Sequence, residues 1–169
     1  SSAMLEVKGK KIIIDAGPDF RYQMLRSGVE DIRAILLTHG HKDHVGGLDD
    51  VRAFNWVKQG AVDVYGSSET RDVVYKDFSY AFAAFRYPGV PEIAYHTLDN
   101  SPFFIDDIKV IPIPVLHYKM PVLGFRIGNF AYITDAKTIP ETSFELLRGV
   151  EYLVVNALRK EEHLSHFNL

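Results

Sequence analysis

The chain has 169 residues, 47% of them hydrophobic and 24% charged, with a formal net charge of -3 and no cysteine. That length fits one globular domain, expected over residues 1–169, and supplies enough apolar material for a sizeable core. The composition excludes disulfides, thiolate nucleophiles and thiolate-held zinc within these residues, and the small acidic excess argues against a chain gripping nucleic acid along its whole surface.

In chain order, residues 1–11 lack a signal-peptide pattern, and no apolar run approaches the roughly 18 residues of a membrane-spanning helix. A cytoplasmic protein without a membrane partner is therefore expected. Residues 5–7 and 11–14 read as two strands around the turn Lys8-Gly9-Lys10. Phe20, Met24 and Leu25 have helical spacing over Phe20–Arg26, and Gly28 stands where a helix stops. Residues 34–37 form a short apolar run expected to be a buried strand, ending at Thr38. Residues 49–57 read as a helix, 62–65 as a strand, and 68–77 as a helix opened by Ser67-Ser68-Glu69. The aromatic stretch 78–87 can serve as core, interface or a wall over a site.

Beyond the turn Pro88-Gly89-Val90-Pro91 come strand-like segments at 93–98, 108–115, 122–127 and 130–134. Gly128-Asn129 joins the last two as a hairpin. Residues 141–147 read as a helix after Pro140, and Tyr152–Val155 as another buried strand. Strands clustered in each half, with helices between them, point to a layered mixture of helix and sheet.

The strongest chemical signal is Thr38-His39-Gly40-His41-Lys42-Asp43-His44, which crowds four potential ligands into six residues at the end of a strand. On a tight loop His39 and His41 can turn to one side while Asp43 and His44 reach a second point, so two metal ions ~3.5 to 4 Å apart can share the loop. Imidazole and carboxylate without thiolate suit zinc, manganese or iron. Gly46 and Gly47 let the backbone pass close by. The remaining ligands should lie at strand ends, which is where His117, Asp135 and His166 fall. Singly, each has a plainer alternative: a core histidine, a helix N-cap and a surface residue near a frayed terminus.

These residues resemble the metallo-β-lactamase-fold hydrolases. The run from His39 to His44 matches that superfamily's signature loop, and Asp15 matches the acidic residue that supports it. The segments Asp15-Ala16-Gly17-Pro18-Asp19-Phe20-Arg21, Gly46-Gly47-Leu48-Asp49-Asp50, Gly124-Phe125-Arg126-Ile127-Gly128 and Tyr132-Ile133-Thr134-Asp135 look like the branch of the PhnP-type cyclic phosphodiesterases, with ribonuclease Z a more distant relative. The resemblance implies an α+β fold, a four-layer αβ/βα sandwich, incomplete at both ends of this chain. It also implies two metal ions: His39, His41 and His117 hold one, Asp43, His44 and His166 the other, and Asp135 bridges them. His163 is the alternative to His166 as the final ligand. A homodimer is typical of that family.

Two cations sharing a water would lower its pKa steeply, toward ~7, and so supply hydroxide at neutral pH. Catalysis is assigned to Asp43, itself a ligand, and to His163, the nearest unassigned general acid for the leaving alkoxide. Asp15 orients a ligand imidazole through its free ring N–H. The substrate expected is a small phosphate ester, cyclic in the sharpest form, and nucleic acid is not expected as a partner. Three alternatives stand beside this: a ribonuclease Z-like endonuclease, a lactonase or thioesterase using the same hydroxide on a carbonyl, and a non-catalytic binding protein of cofactor biosynthesis.

Overall fold

A computed structural model describes residues 2–168; Ser1 and Leu169, the two ends of the expected domain, lie outside the described residues. The chain divides into two compact units that meet at Leu98 and Asp99. Each holds one five-stranded sheet.

The first unit opens with an antiparallel hairpin of β1 (Ala3–Val7) and β2 (Lys10–Ile14). Lys8 and Gly9 between them both take left-handed φ, 51° and 74°, the pairing a tight hairpin turn requires. From β2 the sheet runs parallel through β3 (Ala34–Leu36), β4 (Val62–Gly66) and β5 (Ile93–Thr97), in sequential order. Parallel neighbours need crossovers, and the helices supply them. Helix α1 (Phe20–Arg26) ends as the sequence predicts: the Val29 N–H donates to the Met24 carbonyl and the Gly28 N–H to that of Leu25, with Gly28 at φ +61°. The Ser67 hydroxyl accepts from the Thr70 N–H at 3.2 Å and so caps α4 (Ser68–Asp77). Phe20, Leu37, Leu48 and Val51 are fully buried in this unit's core.

Three local expectations change. The histidine loop is not wholly irregular, because Lys42–Val45 forms one helical turn, α2. The helix expected at 49–57 begins as a 3-10 turn, Leu48–Val51, and becomes α-helical only over α3 (Arg52–Lys58). The aromatic stretch is split: α5 (Ser79–Phe82) follows Phe78, which is buried, while Phe85 and Tyr87 are 88% and 77% exposed.

The second unit carries β6 (Phe103–Ile105), too short to be read from the sequence, then β7 (Ile108–His117), β8 (Met120–Ile127) and β9 (Phe130–Ile133), all antiparallel. Pro112 and Pro114 are tolerated in β7 because β6 pairs only with Ile108 to Val110, which leaves that edge of β7 free of β6 beyond them. Helix α6 (Glu141–Leu146) leads to β10 (Tyr152–Val155), parallel to β9. The sequence predicts β10 buried; its residues are 42–63% exposed, because among the described residues neither face of this edge strand is covered. Among the described residues no helix is long and apolar enough to cross a membrane.

Candidate metal centre

In the first unit the loop after β3 carries four of the expected ligands. His39 and His44 are 2% and 1% exposed, buried deeply for polar side chains. The His39 Nε2 lies 2.9 Å from His41 Nδ1, with the two rings edge to face at 4.5 Å. Two nitrogens that close can both reach a zinc-like cation at the usual ~2.0–2.1 Å. On the other side of the loop the His44 Nε2 lies 3.2 Å from Asp43 Oδ2. Asp43 and His44 lie within the turn of α2, and His41 occupies its N-cap position. The donor set of imidazoles and an exposed carboxylate fits divalent metals such as zinc or manganese.

Beneath the loop sits Asp15, fully buried at the end of β2 with a left-handed φ of 62°. It accepts from the Thr38 N–H at 2.8 Å, from the Thr38 hydroxyl at 2.8 Å, and from the His44 Nδ1 at 2.7 Å. Burial pushes its carboxyl above the ordinary carboxylate range, and the bonds from His44 and Thr38 pull against that rise. The backbone clamps the loop in place: the Ala16 N–H donates to the His44 carbonyl at 2.7 Å, and the Gly47 N–H to the Ala16 carbonyl at 2.8 Å. Gly47 has to be glycine because any Cβ there would stand 2.2 Å from the Gly17 carbonyl oxygen. The requirement is close approach rather than an unusual φ.

In the second unit the four remaining candidates fall together, His117 and Asp135 at or just beyond strand ends and His163 and His166 in the irregular segment after β10. His117 closes β7, and its Nδ1 donates to the Ser165 carbonyl at 2.8 Å, so in the neutral ring the proton sits on Nδ1. Asp135, two residues beyond β9, has a left-handed φ of 52°, as Asp15 does, and its Oδ1 lies 3.7 Å from His166 Nδ1. The His166 ring is 4.6 Å from that of His117 and 5.0 Å from that of His163. The C-terminal segment is tied down by the Phe167 N–H, which donates to the Ala136 carbonyl at 2.8 Å.

The seventh histidine, His96, belongs to a different cluster. Its Nε2 lies 2.8 Å from Asp63, which also binds Arg33 at 2.6 Å and Lys58 at 3.4 Å. Burial raises the Asp63 carboxyl, but the bonds from His96 and Arg33 and the Lys58 charge outweigh it and hold the group below the ordinary carboxylate range. Thr38 was legible in the sequence only as the end of a strand; its hydroxyl contact with Asp15 depends on a pairing 23 residues apart.

Residues 10–169 match the model of the beta-lactamase superfamily domain. The chain belongs to the beta-lactamase superfamily. A beta-lactamase superfamily chain with two mixed sheets has the metallo-β-lactamase fold, a fold of hydrolases. It is similar to a crystal structure described as a new diphosphatase from the PhnP family, with a TM-score of 0.91 and 37% identity, over 99% of this chain and 64% of that one. It is 40% identical over 160 residues to an octanoyltransferase of Porphyromonas gingivalis, covering 94% of this chain and 32% of that protein. It is also 29% identical to a ribonuclease Z of Nostoc sp., over 69% of this chain and 36% of the relative. The beta-lactamase superfamily chain described here thus spans about a third of the length of these two curated relatives.

Proposed function

We propose that this domain is a binuclear metal-dependent phosphodiesterase acting on a small phosphate ester, with a cyclic phosphate as the sharpest candidate substrate. The observation that carries the reading is the pairing within one loop: the His39 and His41 nitrogens at 2.9 Å on one side, and His44 with Asp43 at 3.2 Å on the other. In this reading His39, His41 and His117 hold one cation, Asp43, His44 and His166 hold the second, and Asp135 is shared. Two divalent cations, zinc or manganese, would supply Lewis acidity at this site when held by these residues.

The chain's own residues supply the rest. His117 is oriented by its bond to the Ser165 carbonyl, and His44 by its bond to Asp15. Asp43, 69% exposed, stands at the open side of the loop, where it can fix the attacking water as well as a cation. His163 is the proton donor to the leaving oxygen. Its Nδ1 accepts from the Ser165 N–H at 3.2 Å, which orients the neutral ring; donation starts from the doubly protonated imidazolium, which returns to the neutral ring as the leaving oxygen takes the proton.

The similarity to a PhnP-family diphosphatase supports a phosphate substrate and brings phosphoanhydrides into the same class of candidates. A second reading, a nuclease, is favoured by the ribonuclease Z relatives and opposed by the net charge of -3. Metal-reconstituted protein assayed on bis(p-nitrophenyl) phosphate, a ribosyl cyclic phosphate, a diphosphate, a lactone and a structured RNA separates these. Diester hydrolysis abolished by Asp135→Ala is the expected result. Equal or greater turnover of the lactone overturns the phosphate assignment, and cleavage of the RNA alone favours the nuclease.

A further inference from the structure

Thr38 stands at a branch point between two ligand histidines. Its side chain is 1% exposed, and its single hydroxyl lies 2.8 Å from Asp15 Oδ2 and 3.0 Å from His39 Nδ1. A hydroxyl has one proton to give and lone pairs to receive with, whereas a carboxylate only receives. The Thr38 proton therefore goes to Asp15, and the contact with His39 is made by a Thr38 lone pair accepting the His39 Nδ1–H. The same Asp15 oxygen receives the His44 Nδ1–H at 2.7 Å, much closer than the 3.5 Å between His44 Nδ1 and Thr38.

We infer that Thr38 is a positioning residue that relays the Asp15 carboxylate to His39, so that one buried carboxylate sets the ring orientation and tautomer of two imidazoles: His44 directly and His39 through the hydroxyl. Both rings then turn Nε2 outward, His39 toward His41 and His44 toward Asp43. That His39 and His44 serve different cations rests on the proposed function; the tautomer does not. A ring held with Nδ1–H loses nothing to tautomer selection when Nε2 binds a metal, which is the usual benefit of an oriented ligand.

The test is long-range proton–nitrogen NMR of histidine-labelled, metal-free protein, combined with zinc titration calorimetry. The wild type is expected to show His39 protonated on Nδ1. Thr38→Val should let His39 shift toward the Nε2–H form and weaken zinc binding by about 10- to 100-fold, while Thr38→Ser restores both. His39 protonated on Nε2 in the wild type overturns the relay without recourse to any variant, as does a folded Thr38→Val protein with an unchanged His39 tautomer. Wild-type protein that binds no zinc but shows the Nδ1–H form would sink the metal-centre reading and leave the relay standing, so the two failures are distinguishable.

Discussion

The Nδ1 of His44 lies 2.7 Å from Oδ2 of Asp15, and the two side chains are 1% and 0% exposed. A carboxylate so deeply buried is tolerated because three donors converge on it. Asp15→Ala leaves the Thr38 hydroxyl and the His44 ring without their buried acceptor and places alanine at a left-handed φ. The expected loss is about 3 kcal/mol or more of unfolding free energy in metal-free protein, read from urea denaturation. Asp15→Asn tolerates the same φ, so it should lose less stability while still weakening zinc binding by roughly 10- to 100-fold. Unchanged zinc affinity in Asp15→Asn would remove Asp15 from any role toward the ligands.

The Asp63 cluster makes an acid-stability prediction. Its carboxyl is held below the ordinary range in the folded protein by His96, Arg33 and Lys58, against the opposing effect of burial. A depressed folded value contributes stability above the unfolded value of about 3.9 and loses it as pH falls through the folded value. Wild type should therefore exceed Asp63→Asn in urea midpoint near neutrality, with the gap closing as the pH drops below about 4. A gap that is constant with pH would show that packing, not charge, carries the contribution of Asp63.

Gly40, between the first two histidines of the loop, faces α4. A Cβ at this position would stand 3.0 Å from Val73 Cβ and Cγ2, tighter than ordinary contact. Gly40→Ala should lower the melting temperature by several degrees, equivalent to about 1–3 kcal/mol, and Val73→Ala added to it should recover part of the loss. Additive losses in the double variant would mean that the two residues do not press on one another.

The sequence was most legible where a signal was local. Gly28 ends α1 and Ser67 starts α4 because each satisfies orphan backbone groups within one turn, and both were readable from residue type alone. The histidine loop was legible because its ligands are contiguous, although the α2 turn inside it was hidden by Gly40 and Gly46, which read as loop residues. Contacts between distant segments left weaker traces. Asp15 and Thr38 are 23 residues apart, and only the family resemblance pointed to Asp15, while nothing marked the Thr38 hydroxyl. The apolar run of β10 reads like a covered strand, yet burial depends on what packs on its faces, which its four residues cannot encode.

The proposed function requires that this chain hold two metal ions through histidines and aspartates. Plasma mass spectrometry of purified, zinc- or manganese-reconstituted protein, run beside a His41→Ala, Asp43→Ala double variant, tests it most directly. The account predicts about two equivalents of metal in the wild type, as a shared-water centre needs, and their loss in the double variant. Absence of metal from the reconstituted wild type, or full retention in the variant, would contradict it.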